Sequence, residues 1–403
     1  MMIFGRPLLT FLKLTLLLVW LGLPGRVLYL EAQVFQDQDF RQAAEKGLDH
    51  TYNLEFEQAH RHFENLRESY PEHPAPHYLL AFNRWWQSYI STTNAYHDFI
   101  GESLARALAL NERFTDQEGY DLEYTFFQYM IYAFQSRLHI LRREWWSGAN
   151  TGLKALPYLE KGIAYSDRSP EFYFSSGIYH YYAETYPEKH SYIKPFMVFF
   201  PEGNASQGLE ELVKAGTLEN FTQVESLYYL GDIYLEEEAD YRKALQIKRK
   251  LMRKYPQNTW FEADYARALV YDGQYEEAEE ILGSMQAVFE AIPNALNQHV
   301  TSQESRYTTL LMVRIYHYLG RCALEGEQDY QLAQQHFERS LKMASLAGLS
   351  EYEYIPNNHF WLAEIHAQRG EKTAAITSLE KVFDCEENEQ VLDRAIALLE
   401  SLE

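Results

Sequence analysis

Cysteine is almost absent from this chain: 403 residues carry two, Cys322 and Cys385. That excludes a disulfide framework of the kind that holds small exported domains together, so the chain must rely on packing. Also missing are a His-Glu-x-x-His pair, a Cys-x-x-Cys pair, a glycine-rich phosphate loop and a serine in a nucleophile elbow. The expectation is a non-catalytic protein with no cofactor and no metal. Basic residues are scarce, 36 against 58 acidic ones, and the formal net charge of −22 repels phosphate backbones. Nucleic acid is therefore excluded as a partner. Long apolar runs are few. The leucine-rich stretch Leu14–Leu23 falls short of the roughly 20 residues that a membrane-spanning helix needs. With Arg6 and Lys13 ahead of it, residues 1–32 read as a signal peptide cleaved after Gly25 or Ala32, the alternative being an amino-terminal anchor from Leu8 to about Leu30. No cysteine lies near it to accept a lipid. The predicted location is outside a bacterial inner membrane, in the periplasm or associated with the envelope.

What is abundant is aromatic side chains and a repeat. Tyr241 and Ala244 recur 34 residues later as Tyr275 and Ala278, and Gly231 recurs one residue out of register as Ala266. An aromatic residue, Ala three later and a large apolar residue four after that appear as Phe56, Ala59, Phe63, as Tyr275, Ala278, Leu282 and as Tyr330, Ala333, Phe337. The copy at Tyr241 and Ala244 has Lys248 in the third place, which is expected to weaken one contact. Matching small residues stand at Gly47, Ala81, Gly177, Gly231, Ala266, Gly320 and Ala363, where two helices must approach closely. Tyr70-Pro71 and Tyr255-Pro256 stop trailing helices.

These residues resemble the tetratricopeptide repeat superfamily, most fully from Phe221 to about Leu282 and from Ala43 to Ala81. Tyr307 to Leu346 and Asn358 to Phe383 fit it with longer connections. The resemblance implies an all-α, right-handed superhelical solenoid of about seven or eight helix-turn-helix pairs. Residues 33–220 read as a degenerate repeat region with an irregular insert near 187–203, and residues 221–403 as clearer repeats. Between Trp85 and Gly216 the period is hard to follow. One long helix is predicted over Asp116–Arg143 with a partner over Ser147–Ala164 that Pro157 kinks or interrupts, and Tyr186-Pro187 ends another. Asn204 with Gln207 reads as a capping box. This stretch is similar to one in exported bacterial tetratricopeptide proteins of unknown role, and more faintly to a eukaryotic mitochondrial and inclusion-clearance relative.

In that family the leading helices line a concave groove where extended peptides dock. The register then nominates Tyr78, Phe82, Trp85, Trp86, Phe174, Tyr181 and Tyr182 as an aromatic first half, and Tyr228, Asp232, Arg267 and Tyr271 as a mixed, partly acidic second half. Adjacent residues on a helix point about 100° apart, so one of Trp85 and Trp86 is expected in the groove or at a lateral contact. With 32 tyrosines, 23 phenylalanines and seven tryptophans, most rings must be core. The carboxylate clamp of the best-known peptide-binding variant, a lysine with two asparagines, is missing: Tyr228, Asp232, Ala263 and Arg267 stand at the corresponding positions.

The reading is a scaffold that binds a protein or peptide partner along its concave groove. The alternative is an envelope glycan-binding accessory protein that stacks sugars on Trp85, Trp86 and neighbouring tyrosines. An enzyme would need carboxylates and a histidine converging between Trp85 and Gly216. Membrane contact is assigned, if anywhere, to the amino terminus or to the apolar 195–201 loop. His359 and His366, two turns apart, are too widely spaced for a chelating pair and read as structural or surface residues.

Overall fold

The structure is a computed structural model. It describes residues 34–402, apart from 116, 167, 190–193, 198–199, 292–302, 350–351 and 386–388. The 1–32 segment lies outside the described residues, as does part of the 195–201 loop. The described residues form an all-α, right-handed superhelical solenoid of eight helical pairs and a closing helix. The pairs are α1 (Gln38–Tyr52) with α2 (Phe56–Ser69), α3 (Pro74–Ile90) with α4 (His97–Asn111), α5 (Asp121–Leu141) with α6 (Trp145–Ile163), and α7 (Phe172–Lys189) with α8 (Ala205–Ala215). They continue as α9 (Gln223–Asp232) with α10 (Tyr241–Lys254), α11 (Thr259–Tyr271) with α12 (Tyr275–Glu290), α13 (Gln303–Arg321) with α14 (Tyr330–Leu346), and α15 (Tyr354–Gln368) with α16 (Lys372–Phe383). The closing helix α17 is Glu389–Leu402. Every helix packs on its successor.

The small residues of the leading helices explain how the pairs close. A Cβ on Gly320 would stand 2.6 Å from the Phe337 ring, and Gly47 meets the Phe63 ring in the same way. At Gly231 the opposing group is the stem of Lys248, 2.9 Å from where a Cβ would be. Lys248 therefore does not weaken this contact. Its methylenes fill the space that an apolar residue fills in other pairs, and its ammonium bonds Asp232 and Asp264.

Several boundaries differ from expectation. The long helix begins at Asp121, after a turn in which Gly119 takes φ 90°. Its partner begins at Trp145 and continues past Pro157 to Ile163 without interruption. Tyr186-Pro187 does not end α7, which continues to Lys189. The chain returning past Gly203 lies against Ala183 and Glu184 of this helix, and Asn204 N–H donates to the His180 carbonyl. Asn204 does cap α8 by accepting from Gln207 N–H. The box is incomplete, since the Gln207 side chain turns to Glu211 and His180 instead.

One apolar cluster runs from Val34 to Phe172 and takes in Val224, Leu227, Tyr228, Tyr255, Trp260 and Phe261. The reason is a tight superhelix in which the first pair meets the fifth and sixth. Tyr255 Oη donates to Asp49 at 3.0 Å, Asn258 Nδ2 to the Tyr52 carbonyl at 2.6 Å, and Tyr52 Oη to the buried Glu225. Glu171 adds a second stitch, taking the Phe221 N–H at 3.0 Å and lying 3.7 Å from Arg41.

Candidate binding surfaces on the concave face

Because the superhelix closes so tightly, the inner helices α3, α5, α7 and α9 converge around a partly open chamber of about 200 Å³. Tyr78, Phe82, Trp85 and Trp86 come from α3, Phe134 and Arg137 from α5, Phe174 and Ile178 from α7, and Glu225 and Tyr229 from α9. A smaller cavity of about 50 Å³ adjoins it and shares Tyr78, Phe82, Met130 and Glu225. Both tryptophans line the chamber, against the expectation that only one would face inward. A chamber walled on four sides meets rings that leave one helix 100° apart, whereas an open groove does not. Trp85 and Trp86 are only 6% and 3% exposed.

The charged groups of the chamber are few. The Arg137 guanidinium lies 4.4 Å from the Trp85 ring centroid and donates to Tyr229 Oη. Among the described residues it has no carboxylate partner. Burial pushes the Glu225 carboxyl up to about 7, against the opposing hydrogen bond from Tyr52.

A second feature lies on the inner face of the carboxy-terminal half. Tyr182 on α7, Asp232 on α9, Arg267 and Tyr271 on α11, and Arg321 on α13 are all half-buried. Arg321 lies 4.6 Å from the Tyr271 ring and 5.7 Å from that of Trp361 on α15, and Arg267 lies 5.8 Å from Tyr271. The acids here are committed internally. Glu236 pairs with Arg267, Glu325 with Arg321, and Asp232 with Lys248. Asp264 is buried between Lys248 and Arg314, whose charges overcome burial and hold its carboxyl down at about 2. The partly acidic surface expected for this half is thus a ladder of arginines and rings with its carboxylates already paired.

Of the nominated residues, Tyr78, Phe82, Trp85, Trp86 and Phe174 meet in the chamber, and Tyr182, Asp232, Arg267 and Tyr271 lie along the ladder. Tyr181 and Tyr228 are buried between the two, with hydroxyls bonded to Glu238 and Tyr89. Sequence reasoning missed Arg137, Tyr229 and Glu225, the first because α5 lies where the period is lost. Trp145 and Trp146 stand in the first turn of α6, 63% and 87% exposed. His359 is half-buried, and His366 bonds Glu371 at 2.6 Å.

Residues 235–290, from the end of α9 through α12, match the tetratricopeptide repeat family. The match places this stretch in the tetratricopeptide repeat superfamily, and the helical pairs on either side of it have the same helix-turn-helix form. That superfamily mediates protein–protein interaction and is in general non-catalytic. A comparison with curated proteins found no match. Among solved structures, the chain is similar to the carboxy-terminal part of a tetratricopeptide repeat-containing protein from Cytophaga hutchinsonii, at 11% identity and TM-score 0.31, covering 87% of this chain and 98% of that one. It is also similar to the human IFIT1 dimer with PPP-AAAA, at 18% identity and TM-score 0.41, covering 82% and 68%. At these TM-scores the likenesses carry nothing about what this chain binds.

Proposed function

We propose that the protein is a non-catalytic scaffold that docks a segment of a protein partner along the inner face of α9, α11, α13 and α15. The observation that carries this reading is the ladder of Asp232, Arg267, Tyr271 and Arg321, half-buried and therefore reachable on successive inner helices. Arginine and tyrosine in such a setting give large contact area and directional hydrogen bonds at low entropic cost. Docking there needs no rearrangement of the enclosed first half. The test is cross-linking and affinity purification of the chain from its native envelope, with a Tyr271→Ala, Arg321→Ala version alongside. A protein enriched by the parent and lost from the double variant is the expected result. Equal enrichment by both moves the contact elsewhere. We also place the protein outside the inner membrane on the strength of the Arg6, Lys13 and Leu14–Leu23 pattern. Among the described residues no helix is long and apolar enough to cross a membrane. Amino-terminal sequencing of the purified protein should give a start near Arg26 or Gln33, and an intact Met1 refutes cleavage.

A further inference from the structure

We infer that the aromatic chamber between α3, α5, α7 and α9 is a binding site for a small organic monoanion, its apolar body among the rings and its head group on Arg137. The proposal is independent of partner docking on the carboxy-terminal ladder.

The argument starts from charge. A guanidinium taken partly out of water is stable when a carboxylate or another acceptor set satisfies its five donors. The chain offers 58 carboxylates, and its other inward arginines use them: Arg267 takes Glu236, Arg314 takes Asp264 and Arg321 takes Glu325. Arg137 takes none among the described residues. Among the described residues its one hydrogen bond is to the neutral hydroxyl of Tyr229, and as a partly exposed lining residue of the chamber it keeps donors that no group of the protein takes. Arginine's planar fork matches a carboxylate or sulfonate with two parallel hydrogen bonds.

The walls settle the rest of the ligand. Apart from Arg137 and Glu225 they are almost wholly apolar, and the smaller cavity extends the space toward Phe126 and Phe127. Concave, apolar, and with few convergent polar groups, this is the usual form of a small-molecule site. Aromatic faces can also attract a cation, but Arg137 already covers the Trp85 face at 4.4 Å and would repel one. Glu225, the only carboxyl lining the chamber among the described residues, accepts from the Tyr52 hydroxyl, which takes up part of its charge. Aliphatic and aromatic acids share this chemistry, and the panel below separates them.

The experiment is titration of the full chain at pH 7.4 with dodecanoate, 1-naphthoate, dodecanol and dodecyltrimethylammonium, followed by tryptophan fluorescence and calorimetry. Saturable one-to-one binding of at least one anion is expected, at least tenfold tighter than the alcohol or the cation. Preference for dodecanoate assigns an acyl chain, and preference for naphthoate assigns a ring system. Arg137→Gln should weaken the anion at least tenfold and leave dodecanol unchanged, while Arg137→Lys should recover part of the loss. Near-ultraviolet circular dichroism reports whether each variant keeps its packing. Ile178→Trp, which fills the chamber without touching Arg137, provides a second variant and should abolish binding. Anion affinity equal to that of the alcohol, or unchanged in a folded Arg137→Gln, overturns the proposal, as does the absence of saturable anion binding by the folded parent. None of these outcomes bears on partner capture through Tyr271 and Arg321.

Discussion

Gly320 and Phe337 carry the closest approach of α13 and α14, and Gly47 with Phe63 repeats it at the other end of the chain. Gly320→Ala forces its methyl into a fully buried ring, and the expected loss is about 1–3 kcal/mol in chemical denaturation, with little change in helical content. A neutral effect at Gly320 would mean that Phe337 can swing aside, which its burial against Trp361 opposes. This spacing of small and large residues was readable in the sequence, because close contact demands it wherever the pair occurs. Lys248 was harder to read, since a lysine in a core position reveals its role only when Asp232 and Asp264 are seen on either side of it. Arg137 was invisible for the opposite reason: its meaning lies in the absence of a partner, and that is a fact of space.

At the level of the element, α9 and α13 end alike. Each finishes in a single π-type turn, Ile233–Glu237 or Cys322–Gly326, followed by a left-handed residue and an aspartate that caps the next helix. The left-handed residues are Ala239 at φ 51° and Gln328 at φ 55°, and neither is a glycine. A side chain in that region costs energy that glycine does not incur. Ala239→Gly and Gln328→Gly are therefore expected to stabilise by about 0.5–1 kcal/mol each, read as a rise in melting temperature. A fall at either site would show that the wider unfolded ensemble of glycine outweighs the relief. The π-type endings were not legible in the sequence. They arise from how the end of a leading helix meets its neighbour, which the sequence period does not encode.

For the whole molecule, two buried carboxyls tie its stability to pH. Burial raises Glu225 and Glu171 from the ordinary 4.5 to about 7, although Tyr52 bonds the first, and the Phe221 N–H and Arg41 oppose the rise at the second. Between those values the folded chain retains protons that the unfolded chain has released. Their contribution to stability is thus full below about pH 4.5 and is lost as pH rises toward 7, by roughly 1–3 kcal/mol per carboxyl. A Glu171→Gln, Glu225→Gln variant should flatten that slope in melts between pH 5 and 7.5, and a slope left intact would assign the proton uptake elsewhere. Hydrogen exchange gives a second test. Helices α1 to α12 share stitches between distant pairs, whereas α14 to α17 hold a separate apolar cluster, so the carboxy-terminal end should open first. The repeat class was legible because each pair obeys local rules, but the closure was not, because it depends on the angle accumulated over five pairs. That closure has an evolutionary consequence. Most solenoids can gain or lose a unit, since each unit touches only its neighbours. Here Asp49 and Tyr52 must meet Tyr255 and Asn258, and inserting or deleting one pair between them would rotate the two ends past each other. In this stretch the copy number is fixed by geometry, and the lineage can change only its surfaces and its carboxy-terminal end.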